Sequence, residues 1–459
     1  MTRVLLIYPY FNYWNNRSIF RFPPLGLGYV ASSLRNNGYD VDILDCTFMA
    51  KEEALKKAKN SRADVVGIYC MVSMRHESIK FATELRNRCD LLVAGGPLPS
   101  SDPASFMNDF DIVVRGEGEK TMLDILRIYE NGGSPESVPG ILYRKNNNSW
   151  VRCSEAGEIV YTEPGKLEDD LDRIAFPARD LFPNKEYIDY GMRKTGSSTT
   201  TVFTTRGCPF RCEFCSNAVF GVSYRERSPS NVLDEVEEAL SFGYGRIHFA
   251  DDVFTLNKKR VFEICKEIRK RGLDFEWECL GRVDSIDKDL AVIIKEAGCD
   301  RILFGIESGN DLILKTMNKK ITVEAARKAV NSAHDVGIRT GAFFILCYPG
   351  ETNETVLDTI RFATSLPLDY LSFTMPYPLP GTALFERVKH KIKKDWVSSG
   401  GLISDHVLIF DAEFSETKMK FAILKGQAQF GLRKRLGKYA FFVVKPFEKL
   451  TDGIFRLIK

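Results

Sequence analysis

The chain has 459 residues, 44% hydrophobic and 27% charged, which is the composition of a globular protein of about two to four domains. A formal net charge of +3 gives no global case for nucleic-acid binding, and no nucleic-acid partner is expected. The opening MTRVLLIYPY is too short in its apolar core for a signal peptide, and no run reaches the roughly 18 apolar residues of a membrane span. Cysteines inside apolar runs such as VVGIYCMV and FFILCYPG read as buried thiols of a reducing compartment, so a cytoplasmic protein is expected.

Short apolar runs then alternate with helical patterns. Strands are expected at 3–9 (RVLLIYP), 40–45 (DVDILD), 63–70 (ADVVGIYC), 91–96 (LLVAGG) and 111–119, the last running into a glycine turn. Helices are expected at 27–38, closed by Gly38, and over EEALKKAKNS and ESIKFATELRNR. Such alternation builds a parallel sheet covered by helices on both faces, with a ligand crevice at the strand C-termini. This gives a first domain over 1–130. Residues 131–195 break the rhythm with turn-rich and proline-punctuated stretches, and read as a linker carrying a hairpin.

Alternation resumes in 196–388. Strand patterns fall at 200–205, 246–251, 274–281, 301–307, 339–346 and 369–375, separated by helical runs such as SNVLDEVEEALSFG and DLAVIIKEAG. Six strand–helix units fall short of the eight of a closed barrel, so a partial (β/α)6 barrel is expected. Asp251, Asp252, Arg282 and Glu307 sit where strands end, the edge that carries chemistry in barrels. The last region, 389–459, reads as mainly helical and basic, with nine Lys/Arg against two acids over 425–459. It suits a solvated helical cap, a surface that meets an anionic membrane, or a dock for a protein substrate.

One stretch stands apart. RGCPFRCEFC (206–215) places Cys208, Cys212 and Cys215 at spacing C-x3-C-x2-C. Disulfides want pairs, and a tetrahedral zinc site wants a fourth ligand that is not nearby. Three thiolates can hold three irons of a [4Fe–4S] cluster and leave the fourth iron open; a zinc knuckle or three buried thiols are the alternatives. With Phe214 before the last cysteine, the stretch resembles the radical S-adenosylmethionine (SAM) superfamily. The resemblance implies that the open iron chelates the amino and carboxylate groups of SAM, and that reduction releases a 5′-deoxyadenosyl radical. It further implies SAM contacts from Phe214, Asp251 and Asp252 (FADD), Arg282 (GRVD), and Gly305 and Glu307 (FGIESG), with ILCYPGE (345–351) near the adenine. Solubility of the barrel edge or helix capping would also explain these strand-end residues. No protein acid or base is singled out.

In the first domain, FPPLGLGYVASSL (22–34) is apolar and turn-forming, and it fails the G-x-G-x-x-G dinucleotide pattern. Together with AGGPLPS (94–100) and RGEGE (115–119), it resembles the cobalamin-binding domains fused to one class of radical SAM enzymes, over about residues 3–390. The resemblance implies a corrin on the loop of Pro23, Pro24, Leu25, Gly26 and Gly28, a nucleotide tail near Ser73, Gly95 and Gly96, and further contacts at Gly116 and Glu117. The D-x-H-x-x-G pattern that supplies a histidine to cobalt is absent. Of His76, His248, His334, His390 and His406, only His76 lies in this domain, where it reads as a plain residue opening a helix. Base-off cobalamin without a histidine ligand is therefore expected. The family's usual activity implies a C-methyltransferase. Methyl passes from one SAM through methylcobalamin to a substrate carbon radical, which a second SAM generates. A protein side chain, such as a glutamine of methyl-coenzyme M reductase, a peptide or a lipid would be methylated, with a ferredoxin or flavodoxin as electron donor and peripheral membrane contact through the basic C-terminus. An oxidative cyclase without methyl transfer and a cobalamin-binding sensor are the alternatives.

Overall fold

The computed structural model describes residues 1–11, 21–146, 149–153, 155–393 and 407–458. His406 and the stretch 394–406 of the expected C-terminal region lie outside the described residues. Met1–Pro209 and Ser216–Gly245 form one compact unit; Phe210–Cys215 and the described residues from Arg246 onward form another.

The first unit is built on β1 (Arg3–Tyr8), β2 (Asp40–Asp45), β3 (Val65–Tyr69), β4 (Leu91–Gly95), β5 (Ile112–Val114), β6 (Ile141–Asn146), β7 (Ser149–Val151) and β8 (Glu158–Tyr161). They lie in the order β2-β1-β3-β4-β5-β6-β7, with β8 on β6. The first five pair in parallel, and β6, β7 and β8 pair antiparallel. The physical basis is burial on both faces. Leu5, Ile7, Val66, Ile68 and Leu92 pack with Phe81 and Phe106 on one side. Val4, Leu6, Val65, Val93 and Ile112 pack with Leu27, Leu34 and Leu126 on the other. A strand buried on both faces reads as a continuous apolar run, and each such Leu or Phe gains about 2 kcal/mol from leaving water.

Two details differ from the sequence expectation. The hairpin of the expected linker joins this sheet as β6 to β8. Its pairing partner is β5, and hydrogen-bond pairing leaves no mark in a turn-rich stretch. The stretch 23–28, read as a loop, enters a helix at Leu25 (Leu25–Asn36). Leu25 and Leu27 are buried, and Gly28 fits because a Cβ there would come within 2.6 Å of the Phe182 ring and 2.9 Å of Pro177.

Three short strands follow in the first unit: β9 (Thr199–Val202), β10 (Thr205–Arg206) and β11 (Arg225–Glu226). The second unit holds β12 (Arg246–Phe249), β13 (Glu276–Gly281), β14 (Cys299–Glu307), β15 (Arg339–Ile345) and β16 (Tyr370–Thr374), each parallel to the next. Helices Lys258–Arg271, Lys288–Glu296, Val323–Asp335 and Asn353–Ser365 connect them. Each starts on a side-chain cap, Asn257, Asp287, Thr322 and Thr352, that accepts an otherwise unmatched backbone N–H. The fold is α/β, with a Rossmann-like sheet, a barrel-type run of strand–helix units and a C-terminal pair of helices, Glu416–Leu436 and Ala440–Leu457.

Candidate functional site

The three-cysteine loop leaves β10 and returns at β11. These pair antiparallel, Arg206 opposite Arg225 and Thr205 opposite Glu226. Gly207 follows at once with φ +85°, and a Cβ there would lie 2.1 Å from the Ser223 carbonyl oxygen, so the root of the loop requires glycine. Both arginines are buried and share one carboxylate. Glu117 accepts from Arg225 at 2.5 Å and sits 3.4 Å from Arg206, which also donates to Glu119 at 2.6 Å. The Arg206 guanidinium lies 4.9 Å from the Tyr29 ring and 5.2 Å from the Phe220 ring. Glu117, expected as a cobalamin contact, is thus bound to the two ends of the cysteine loop.

Eleven cysteines offer eleven thiols, and exposure separates them. Cys208 and Cys212 are half-buried, Cys215 is exposed and the other eight are buried. Burial pushes the thiols of Cys70, Cys89 and Cys265 up to about 12 and that of Cys153 to about 11, which keeps them protonated and poor ligands. The three of the loop are the ones open to a metal cluster. Their residue type, spacing and access suit a [4Fe–4S] centre with one iron left for a non-protein ligand, although among the described residues no three Cys, His, Asp or Glu side chains converge as a preformed metal site.

In the second unit, 210–215 is tied down residue by residue. Glu213 donates its N–H to the Met317 carbonyl, Leu384 N–H donates to the Glu213 carbonyl, and the Asn318 amide donates to the Arg211 carbonyl at 2.7 Å. The Glu213 carboxylate accepts from the Tyr348 hydroxyl at 3.0 Å and pairs with Arg387 at 3.1 Å. Phe214 meets the Tyr348 ring edge-on at 6.5 Å and carries Lys319 Nζ 5.7 Å from its centre. Lys319 in turn pairs with Glu307 at 3.0 Å.

Glu307 is the last residue of β14 and adopts φ +73°, a left-handed backbone rare for a side chain of its size. The pairing of β14 with β15 shifts register between Gly305 and Glu307. A Cβ on Gly305 would lie 2.6 Å from Glu307 Oε1, so this glycine makes room for the Glu307–Lys319 pair. Arg282, after β13, stacks 3.5 Å over Phe210 and binds the Asp284 carboxylate at 2.9 and 3.0 Å and the Lys319 carbonyl at 3.0 Å. That arrangement makes Arg282 a support of the cysteine loop. Asp251 is fully buried beyond β12, and Asp252 beside it is exposed. After β15, Glu351 is buried and accepts the N–H groups of Cys347 at 2.6 Å and Tyr348 at 3.0 Å. Lys319 escaped the sequence reading, while Tyr348, Phe210 and Glu213 lie in the quoted stretches ILCYPGE and RGCPFRCEFC without a role of their own. Lys319 lies in no motif, and only the fold brings it to the strand end.

In the first unit the strand order reverses at β1 and β3, the switch point where open parallel sheets bind ligands. There Tyr8 lies 5.4 Å from Tyr69 and 5.9 Å from Tyr10, an aromatic group that the sequence reading also missed. Gly95 ends β4 with no neighbour where a Cβ would project. At Gly96, φ +109°, a Cβ would press on the Cys70 carbonyl at 2.8 Å. Ser73 is exposed in the turn after β3, and His76 is exposed in the first turn of the helix Arg75–Leu85. Gly116 has φ +83° and donates its N–H to the Ser100 hydroxyl at 3.0 Å. Pro23 and Pro24 are buried and Gly26 is exposed. The open space at Gly95 and the aromatic switch point fit a large planar cofactor with an extended tail.

Residues 202–363 match the Radical SAM superfamily, and residues 17–126 match the B12 binding domain. An uncharacterized methyltransferase of Pyrococcus horikoshii is 35% identical over 374 residues, covering 79% of this chain and 78% of that protein. The anaerobic magnesium-protoporphyrin IX monomethyl ester cyclase of Cereibacter sphaeroides is 28% identical over 405 residues; these cover 85% of this chain but only 64% of that longer protein. The solved structure of the radical SAM methyltransferase TsrM from Kitasatospora setae shares the fold, with a TM-score of 0.69 at 20% identity over 85% of this chain and 75% of that one.

Proposed function

Because the chain belongs to the radical SAM enzymes that carry a B12-binding domain, we propose that it is a cobalamin-dependent radical SAM C-methyltransferase acting on an unactivated carbon. The observation that carries this reading is the pairing of two features in one chain: a loop holding the three accessible cysteines, and a Rossmann-like sheet with an aromatic-lined switch point. When bound, the [4Fe–4S] cluster, SAM and cobalamin supply radical generation and methyl carriage, and the protein supplies positioning and exclusion of side reactions.

Cys208, Cys212 and Cys215 would hold the cluster. Glu307, paired with Lys319, would offer its carboxylate at the β14 end to a ribose hydroxyl or an ammonium of SAM. Phe214 and Asp252 would belong to the same SAM-facing set, with Asp251 fully buried next to Asp252, and Arg282 steadies the loop from Phe210. In the first unit, the helix start at 23–28, Ser73, Gly95, Gly96 and Gly116 would meet cobalamin, without a histidine on cobalt. Glu117, expected from the sequence as a further cobalamin contact, instead pairs with Arg206 and Arg225 at the roots of the cysteine loop. A one-electron donor such as a ferredoxin or flavodoxin is required to reduce the cluster. Of the substrate classes expected from the sequence, the exposed Phe442, Leu450 and Leu457 of the helix Ala440–Leu457 favour a lipid over a protein side chain.

The test is product stoichiometry. Each turnover is expected to consume about two SAM and yield about one S-adenosylhomocysteine, one 5′-deoxyadenosine and one methylated carbon, with label passing from the SAM methyl to product. Cys212→Ala is expected to abolish 5′-deoxyadenosine. The similarity to a porphyrin-type cyclase defines a second reading. Sustained 5′-deoxyadenosine with no matched S-adenosylhomocysteine and no methylated product would overturn methyl transfer and favour that second reading.

A further inference from the structure

The helix Ala440–Leu457 runs 18 residues, about 27 Å at 1.5 Å per residue. An ordinary surface helix turns its charges to water and its apolar stripe to the core. This one reverses much of that pattern. Its two acids point inward: Glu448 meets Arg361 at 3.2 Å and the Gln429 amide at 2.9 Å, and Asp452 meets Arg361 at 2.8 Å and Lys425 at 2.9 Å. Val444 and Phe455 complete the inward face. Outward stand Phe442 at 74% exposure, Val443 at 45%, Leu450 at 66%, Ile454 at 40% and Leu457 at 83%. Val443, Leu450, Ile454 and Leu457 follow one another at seven, four and three residues, and Phe442 lies eight before Leu450, which places all five on one broad face of the helix. The exposed charges on the same helix, Lys445, Lys449 and Arg456, are all cationic; Arg456 also reaches Glu354 at 3.7 Å.

A face of Phe, Leu and Ile flanked only by cations matches a helix that lies in the plane of a membrane interface. Its apolar side chains enter the acyl boundary and its Lys/Arg meet anionic headgroups. No helix among the described residues is long and apolar enough to cross a membrane, so a peripheral mode is the one this helix supports. A second copy of the chain is a poorer occupant. A two-fold interface brings the same surface to itself, and because the exposed charges of this surface are all cationic it supplies Lys445, Lys449 and Arg456 with no acidic partner.

We propose that Ala440–Leu457 docks the enzyme peripherally on an anionic lipid surface. This deepens the methyltransferase reading toward a membrane-borne substrate, yet it is tested without turnover. The full-length holoenzyme is sedimented with phosphatidylcholine vesicles and with vesicles in which about a third of the lipid is phosphatidylglycerol. Binding to the anionic vesicles is expected to be at least ~10-fold stronger than to neutral ones and to weaken in ~0.5 M salt. The double variants F442S/L457S and K445E/K449E are each expected to lose ~10-fold of that binding, because exposed side chains leave the fold intact. An unchanged circular dichroism spectrum and thermal midpoint check that point. Lys328→Glu, exposed on another helix, is expected to bind as the parent does.

Absence of vesicle binding, or equal binding to neutral and anionic vesicles, overturns the proposal. So does a concentration-dependent dimer that F442S/L457S breaks while vesicles are ignored, or an acidic protein that competes where vesicles do not bind. None of these outcomes touches the stoichiometric test of methyl transfer, so the two readings fail separately.

Discussion

At the scale of single residues, the β14 end concentrates the strain and the charge. Glu307 holds a left-handed backbone that costs on the order of 1 kcal/mol, and it persists because Lys319 and the bulge at Gly305 fix it there. Gly305→Ala is therefore expected to push the carboxylate off its place and to weaken SAM binding about tenfold, roughly 1.4 kcal/mol, in calorimetry. Unchanged affinity would remove Glu307 from the SAM site. Glu307 was legible in FGIESG, whereas Lys319 was not, since its role rests on a turn that only tertiary structure places. Glu351 yields a pH prediction. Burial raises its carboxyl from the ordinary 4.5 to about 8, against the lowering effect of the Tyr348 and Cys347 N–H bonds. A group whose folded value is raised contributes stability that is fully present below about 4.5 and is lost as pH climbs through about 8. Glu351→Gln keeps an acceptor for the two N–H groups and carries no proton to lose. It is expected to flatten the stability profile over that window and to gain about 2 kcal/mol relative to the parent at pH 9 in denaturant melts. A parallel profile in the two proteins would show that Glu351 does not titrate there.

At the scale of elements, the parallel strands of both units were legible, because burial on two faces leaves continuous apolar runs of four to eight residues, whereas the two-residue β11 was not. DVDILD was read at its observed limits, and the barrel-type strands fell within a few residues of theirs. What the sequence did not disclose was attachment. The hairpin at 141–161 joins the first sheet through β5, and the cysteine loop is closed by a two-residue ladder whose arginines reach carboxylates far back in the chain. RGEGE was read as a cofactor signature, whereas its geometry shows a structural role. Glu117 neutralises Arg206 and Arg225 at the two roots of the loop, and removing one partner of such a buried cluster costs about 3 kcal/mol. Glu117→Gln is thus expected to lower the thermal midpoint and, in the protein that remains folded, to loosen the loop. Reconstituted iron should then be lost to a chelator several-fold faster than from the parent, with the SAM-free EPR signal of the reduced cluster broadened. Equal chelation rates would confine Glu117 to stability alone.

At the scale of the whole molecule, one chain carries two cofactor folds, and each was legible for a different reason. The cluster fold announces itself through three cysteines whose spacing admits few other uses. The cobalamin fold announces itself through several weak glycine and proline marks that carry weight only as a set, and its aromatic group at Tyr8, Tyr10 and Tyr69 is invisible until β1 and β3 are paired. The remaining question is what lies beneath the cobalt. Imidazole ligation calls for a histidine on a loop reaching into the crevice, and the first unit offers only His76, which stands exposed in the first turn of its helix. His248, in the second unit, is already engaged with Glu278 at 2.9 Å. Cobalamin bound to the full-length protein and reduced to the cob(II) state is therefore expected to show cobalt hyperfine lines without nitrogen superhyperfine splitting, the pattern of a lower face free of imidazole. His76→Ala is expected to leave that spectrum and the cobalamin affinity unchanged. A three-line nitrogen pattern that disappears in His76→Ala would place a histidine on cobalt, and a pattern that persists in the variant would assign the ligand to the cofactor's own base. Either result would overturn base-off, histidine-free binding.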